Sequence, residues 1–295
     1  MRTGLLTLCA TPIGNLEDAS ERSLRTLREA EVIACEDTRR TKKLLSHFGI
    51  SARELVVLNE ANEVRRSEEL LARLQRGTSI VLVSDAGMPG LSDPGYRLVR
   101  ACAEAGVAVS VVPGPNAAVS ALVVSGLPPG RFVFEGFLPR KASERARHIA
   151  ALSEEERTLV FYESPHRIEA TLGALAEGLG PRPAALAREL TKMFEEVRRG
   201  PLPELLESVR AEPVRGEIVL VVQGAVGEHR PVPAANELAA AARDLMEGGV
   251  TRKDALSQVA VSAGVPRRAV FDALLAARAD GGSGDDAEGQ GGLTE

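Results

Sequence analysis

The stretch LLTLCATPIGNLED, residues 5–18, runs a short apolar segment straight into a Pro-Ile-Gly turn. Continuous apolar runs of strand length suit parallel strands covered on both faces. Four more follow: EVIACED from Glu31, ELVVLN from Glu54, SIVLVSD from Ser79 and VAVSVVPG from Val107. Helical patterns separate them, over 20–30 behind Ser20, over 61–76 ending at Gly77, and over 95–105 ending at Gly106. This alternation predicts an α/β domain on a mostly parallel sheet. In such sheets ligands gather beyond the carboxyl ends of the strands, and glycine there lets the backbone approach them closely. A Pro-Ile-Gly turn is equally what an ordinary tight connection looks like.

A second α/β set follows. RFVFEGF, TLVFYES, AALAREL and GEIVLVVQG, starting at residues 131, 158, 184 and 216, read as strands. Helices are expected near 143–152, 166–178 and 202–210. PGPNAAVSALVVSG, from Pro113, opens as a turn and continues as a helix, which places a boundary between domains 1–113 and 114–226. VGEHRPVP, residues 226–233, reads as a linker. Residues 234–278 read as a small helical unit. Its Thr251–Asp254 start resembles a capping box. ALSQVAVSAGVPRRAVFDALL fits a helix-turn-helix, with Gly264 at the turn and Val259, Ala263, Val265, Val270 and Ala273 at apolar positions. From Ala279 onward Gly and acidic residues dominate, and a disordered tail is expected.

Composition excludes several classes. Net charge is −5, and the segment 279–295 carries five acidic residues and no basic one. Without it 36 acidic residues (41 less these five) face 36 basic ones, so any nucleic-acid contact must come from local patches. Aromatics make up 3% and Trp is absent, which leaves no extended stacking platform for single-stranded bases. No apolar run reaches the roughly 20 residues of a membrane span, and the N-terminal apolar stretch reads as a strand, not a signal peptide. Cys9, Cys35 and Cys102 are dispersed and odd in number, which fits a reducing cytoplasm and no zinc site. The four histidines lack metal-ligand spacing. P-loop, GxGxxG and GxSxG motifs are all missing.

Polar residues recur after apolar strands: ATPIGNLED (10–18), VSDAGMPGLSDPG (83–95), VPGPNAA (112–118), VFYESPHR (160–167), ALARELTKMFEEVRRG (185–200) and RGEIVLVV (215–222). In the second of these, Asp85 can accept from a ligand amine or hydroxyl, with Gly87 and Gly90 leaving room. Its bland counterpart is a long turn in which Ser92 and Asp93 cap the next helix. Six such segments in one chain point to several loops lining one cleft between two domains.

In order and without large gaps over residues 4–224, TPIGNL, ACEDTRRT, SDAGMP, SDPGY, PGPNA, EGFLPRK, FYESPHR, ARELTK and GEIVLVV resemble the bacterial ribosomal RNA small-subunit methyltransferase I family. The resemblance implies a two-domain tetrapyrrole-methylase-like α/β fold with an appended helix-turn-helix. It implies S-adenosylmethionine-dependent methylation of a cytidine ribose 2′-hydroxyl in small-subunit ribosomal RNA, on the RNA or the assembled subunit. It also implies a homodimer. Pro12, Ile13 and Gly14 would lie beneath the cofactor. Asp85, Ala86 and Gly87 would hold its methionine or ribose end, and Asn116 and Ala117 would contact it. Tyr162, Ala187, Gly216 and Glu217 would flank the adenine. Two departures stand out: LNEANE (58–63) lacks the histidine common there, which removes that base, and Met88 replaces a threonine hydroxyl.

Methyl transfer from a sulfonium is an in-line displacement, and positioning supplies much of the rate. A ribose hydroxyl still needs a proton acceptor. Candidates are Glu36 and Asp37, Glu189 and Lys192, and Glu60. Glu36 and Asp37 read equally well as a helix cap before TRRTKKLL, and Lys192 as a solvated helix residue. Carboxylate–lysine pairs in other ribose methyltransferases favour Glu189 and Lys192. Basic clusters for RNA are Arg39 and Arg40 with Lys42 and Lys43; Arg140, Lys141 and Arg145 with Arg147; and Arg252, Lys253, Arg267 and Arg268. The alternative within the fold is a corrin- or porphyrin-precursor methyltransferase; outside it, a catalytically silent nucleic-acid-binding protein.

Overall fold

The computed structural model describes residues 3–226 and 233–279. Most of the expected linker and the acidic tail from Asp280 lie outside the described residues. The chain divides into two compact units, 1–225 and 226–295.

In the first unit, β1 (Leu6–Cys9), β2 (Val32–Cys35), β3 (Leu55–Val57), β4 (Ile80–Leu82) and β5 (Val109–Val112) form one sheet of order β3-β2-β4-β1-β5. Every pair is parallel. Helices α1 (Glu21–Glu29), α2 (Thr38–His47), α3 (Glu63–Gln75) and α4 (Tyr96–Glu104) connect the strands. Alternate strand residues face opposite ways. Leu6, Ala34 and Leu82 pack with Leu70 and Leu74 of α3 and Leu98 of α4. Cys9, Ile33 and Val81 pack with Leu27 of α1 and Leu45 of α2. Both faces are covered, so the strands read as unbroken apolar runs. Each fully buried Leu or Ile contributes about 1.5–3 kcal/mol.

Helix α5 (Ala117–Ser125) packs on a second sheet of β6 (Phe132–Phe137), β7 (Thr158–Glu163), β8 (Pro183–Arg188), β9 (Glu196–Pro201) and β10 (Ile218–Val222). The order is β6-β7-β10-β8-β9. Only β6 and β7 pair in parallel; β10 runs antiparallel to β7 and β8, and β9 antiparallel to β8. The apolar run GEIVLVV therefore reported burial on both faces, not strand direction. Leu159, Phe161, Leu186 and Leu220 face a core shared with α6 (Ala142–Ala151), α7 (Ile168–Leu179) and α8 (Leu202–Ala211). Val160, Ala187, Val219 and Val221 face α5 and Ile13. Because β10 is reversed, its start shares an edge with the ends of β7 and β8. TPIGN, SDAGMP, PGPN, FYES, REL and GE thereby converge.

The second unit holds three helices, α9 (Ala235–Glu247), α10 (Arg252–Ala263) and α11 (Arg267–Ala279). One half of the expected capping box forms: the Thr251 hydroxyl accepts from the Asp254 N–H at 3.3 Å, while the Asp254 carboxylate accepts from that hydroxyl at 2.7 Å. Gly264 takes the left-handed conformation (φ +65°) that ends α10. Val259, Val270 and Ala273 are buried, and Ala263 and Val265 partly so. Among the described residues no helix is long and apolar enough to cross a membrane.

Candidate active site

The loop after β1 is pinned to the loop after β4. Thr11 N–H donates to the Gly87 carbonyl at 2.9 Å, and Gly87 N–H returns a bond at 3.1 Å. Thr11 Oγ1 donates to the Ser84 carbonyl at 3.2 Å. Gly87 sits at φ +79°, which disfavours any side chain. The Asn116 side chain caps α5 by accepting from Val119 N–H at 3.1 Å, leaving its amide N–H groups for a neighbour.

A cavity of about 210 Å³ lies between these loops and the second sheet. Ile13, Ala86, Gly87, Met88, Leu91, Ser92 and Asp93 form one wall; Asn116 and Ala117 line the turn between the sheets. Phe137, Tyr162, Glu163, Glu217, Ile218 and Val219 form the other. Of the expected cofactor residues, Ile13, Ala86, Gly87, Asn116, Ala117, Tyr162 and Glu217 line it. Pro12, Gly14, Asp85, Ala187 and Gly216 do not. Ala187 is buried in the core with Ile13 and Val219. The Asp85 carboxylate does not line the cavity: it accepts from the Asp37 N–H at 3.2 Å and pairs with Arg40 at 3.4 Å.

The expected proton acceptors are mostly committed elsewhere. Asp37 caps α2, accepting from the Arg39 N–H at 2.8 Å and from its guanidinium at 2.7 Å. Those bonds to Arg39 hold its carboxyl at about 2, too acidic to take a hydroxyl proton. Glu189 accepts from Lys192 Nζ at 2.8 Å and from the Glu217 N–H at 3.1 Å. The Lys192 bond, outweighing partial burial, leaves its acidity strengthened. Burial alone would lower Lys192, but Glu189 and Glu217 outweigh it and keep the ammonium charged. Lys192 stands in a turn, not a helix, after two residues at positive φ (Glu189 +51°, Thr191 +67°). Burial and then the Asp85 charge raise Glu36.

The bland alternative for SDPG, Asp93 capping the next helix, does not hold. Helix α4 is capped at Gly95 with no side-chain bond of its own; Glu63, about thirty residues earlier, accepts from the Gly95 N–H at 2.9 Å. Asp93 is free to line the cavity. Burial, then the Glu36 charge, push its carboxyl up to about 6.

Glu163 of the same wall is buried; Thr171 Oγ1 donates to it at 2.6 Å, and Arg167 lies at 3.4 Å. The basic clusters are exposed except for Arg145. Arg39 and Arg40 stand past the end of β2, each beside an aspartate. Arg140 and Lys141 follow β6, and Arg145 is half-buried, donating to the Arg140 carbonyl at 3.4 Å. In the second unit Arg252, Lys253, Arg267 and Arg268 line one concavity, with Arg252 5.4 Å over the Phe271 ring.

Comparison with known proteins agrees with this architecture. The family model for tetrapyrrole (corrin/porphyrin) methylases matches residues 6–206. A ribosomal RNA small subunit methyltransferase I of Synechocystis is 46% identical over 279 residues, covering 94% of this chain and 100% of the relative. One from Mycobacterium tuberculosis is 47% identical over 285 residues, covering 96% and 98%. Among solved structures, uroporphyrin-III C-methyltransferase from Thermus thermophilus, complexed with S-adenyl homocysteine, superposes with TM-score 0.51 at 22% identity, covering 75% of this chain and 97% of that one. That last likeness speaks for the fold, while the sequence matches span nearly the whole chain: it belongs to the ribosomal RNA small subunit methyltransferase I family of the tetrapyrrole methylases.

Proposed function

We propose that the chain transfers the methyl group of S-adenosylmethionine to the ribose 2′-hydroxyl of a cytidine in small-subunit ribosomal RNA. The carrying observation is the cavity where loops of the two sheets meet, lined by seven of the residues expected to hold the cofactor. Its chemistry suits that molecule. Ile13, Met88, Leu91, Ile218 and Val219 offer an apolar wall, and Asn116, Asp93 and Glu217 offer the few polar groups that fix orientation. When bound, the sulfonium supplies an electrophilic methyl group. Asp93 accepts the hydroxyl proton as the ribose oxygen attacks; a carboxyl near 6 is ionised at neutral pH yet basic enough to help. Lys192, held charged by two carboxylates, orients a phosphate or the hydroxyl. In this reading the first unit works as two lobes, 1–113 and 114–226.

The four-cation concavity of the helical unit grips RNA phosphates. A corrin-precursor enzyme would leave that face without an occupant. Replacing Arg267 and Arg268 together by Ala should weaken RNA binding and flatten the slope of log K against log salt by about 1–2, one phosphate contact for each cation. An unchanged slope would place the RNA elsewhere. The family's dimer is supported by α5, which is apolar all round and leaves Val119 and Val123 exposed; light scattering should return twice the chain mass. The three thiols are buried and unpaired, in keeping with a cytoplasmic site of action. Calorimetry with S-adenosylmethionine, then tritiated methyl transfer to small subunits lacking the modification, tests the whole reading. Absence of cofactor binding defeats it, and binding without label in RNA turns it toward a small-molecule substrate.

A further inference from the structure

The turn between β8 and β9 carries Met193, 91% exposed, and Phe194, 67% exposed. Two adjacent apolar side chains on a solvated tip lose what burial would give them, about 1.5–3 kcal/mol each. The tip is nonetheless firmly held. Asn15 N–H donates to Thr191 Oγ1 at 3.0 Å, tying it to the loop after β1. Thr191 N–H donates to the Glu195 carboxylate at 2.6 Å, closing the turn on itself. A Cβ on Gly14 would stand 2.5 Å from Lys192 Cγ and 2.9 Å from Thr191 Oγ1, so the turn's side chains pack directly on the Gly14 backbone. Two non-glycine residues of the turn hold positive φ, a strain that persists only where surrounding structure enforces it. Lys192, next to Met193, bonds to Glu217 at 3.3 Å, and Glu217 lines the cavity. The tip is therefore a rigid extension of the cavity rim with an ammonium at its base.

We infer that Phe194, backed by Met193, inserts against an unstacked base of the RNA substrate and holds the neighbouring ribose at the cavity mouth. The inference rests on the RNA-methylation reading. The 2′-hydroxyls of stacked RNA lie in its shallow minor groove, but a cavity set between loops takes a ribose most readily from a nucleotide turned out of its stack, and apolar wedges held on a stiff support unstack bases in other nucleic-acid complexes. Ordering is already built in by the braced turn, so little affinity is spent on it. Scarce aromatics rule out a multi-base platform but not a single ring. Two side chains are also too small a patch for a stable protein interface, which needs several hundred Å² per partner.

The test uses the full chain, small ribosomal subunits lacking the modification, and tritiated S-adenosylmethionine. Phe194→Ala should lower kcat/KM for subunits about tenfold or more, the low end of the range for one base–aromatic stack, mostly through KM. Phe194→Trp should restore it, since the exposed site takes any flat ring. Calorimetric affinity for S-adenosylmethionine and the mass by light scattering should not change. Unaltered kcat/KM in Phe194→Ala overturns the inference while leaving the methylation reading intact. A shift in mass overturns it in favour of a contact between copies of the chain. If the unaltered chain labels no RNA, the methylation reading itself has failed.

Discussion

Asp93→Asn should cut kcat by about 10²–10³ while leaving affinity for S-adenosylmethionine within a few-fold, the signature of a lost proton acceptor. The pH profile separates this from a structural effect. Burial first and Glu36 second raise the Asp93 carboxyl to about 6. Its ionised form is present above that value and is lost as pH falls through it. Wild-type kcat should therefore climb through about pH 6 to a plateau, and the variant's residual rate should not. The groups around it sharpen the test. Glu36 and Asp85 both push the carboxyl up. Glu36→Gln should move the inflection to lower pH without removing it. Stability should move the opposite way from activity. Below about pH 3.8 the group is neutral folded or unfolded and costs nothing. The cost of charging it in the fold grows between there and about 6 and is complete above. Asparagine removes that cost, so at pH 7–8 the variant should be more stable by about 1–2 kcal/mol after allowance for solvent screening. A variant that keeps its kcat and its acid limb would show that another group takes the proton.

Why Asp93 was hidden while the frame was legible is a matter of range. The two α/β halves follow from apolar periodicity, which is a local signal, and the strands of the first sheet fall where the runs lie. The loops at strand ends converge for reasons of topology, so Ile13, Gly87, Asn116 and Tyr162 could be placed at one cleft once a family resemblance supplied the order. What escaped depends on contacts across the chain. SDPG before a helix reads as a cap, and only the carboxylate of Glu63, reaching from the start of α3, shows that the cap is supplied elsewhere. β9, EVRRGP, is an edge strand whose charges pair sideways, Arg188 with Glu196 at 2.5 Å, so it shows no apolar run. Lys192 reads as a helical position because nothing in ELTKMFEE announces the positive φ at Glu189 and Thr191. The family resemblance sets Asp85 at the cofactor, but the side chain follows Arg40 and the Asp37 N–H.

Gly216→Ala should be the most damaging single-methyl change at the site. Gly216 sits at φ +85°, where an L residue costs about 1–2 kcal/mol. The added Cβ would meet Glu189 Oε1 at 2.1 Å and Cδ at 2.3 Å. A carboxylate can usually swing aside, but this one is committed. Its backbone N–H donates to the Glu217 carbonyl at 3.0 Å, and its side chain accepts from the Glu217 N–H and from Lys192. Displacing it leaves the Glu217 N–H without its partner and Lys192 with only Glu217. The lost bonds add about 1–3 kcal/mol, for a total destabilisation of about 2–5 kcal/mol in thermal or denaturant unfolding. Function should suffer separately, because Glu217, Ile218 and Val219 continue from this point into the cavity wall; affinity for S-adenosylmethionine should fall about tenfold or more in calorimetry. Gly106→Ala is the matched comparison. It has φ +67° and nothing within 4 Å of its added Cβ, so it carries the backbone strain without the collision and should cost only about 1 kcal/mol with cofactor affinity unchanged. If the two variants lose the same stability and both bind cofactor normally, the Glu189–Lys192–Glu217 cluster does not hold the cavity wall in place.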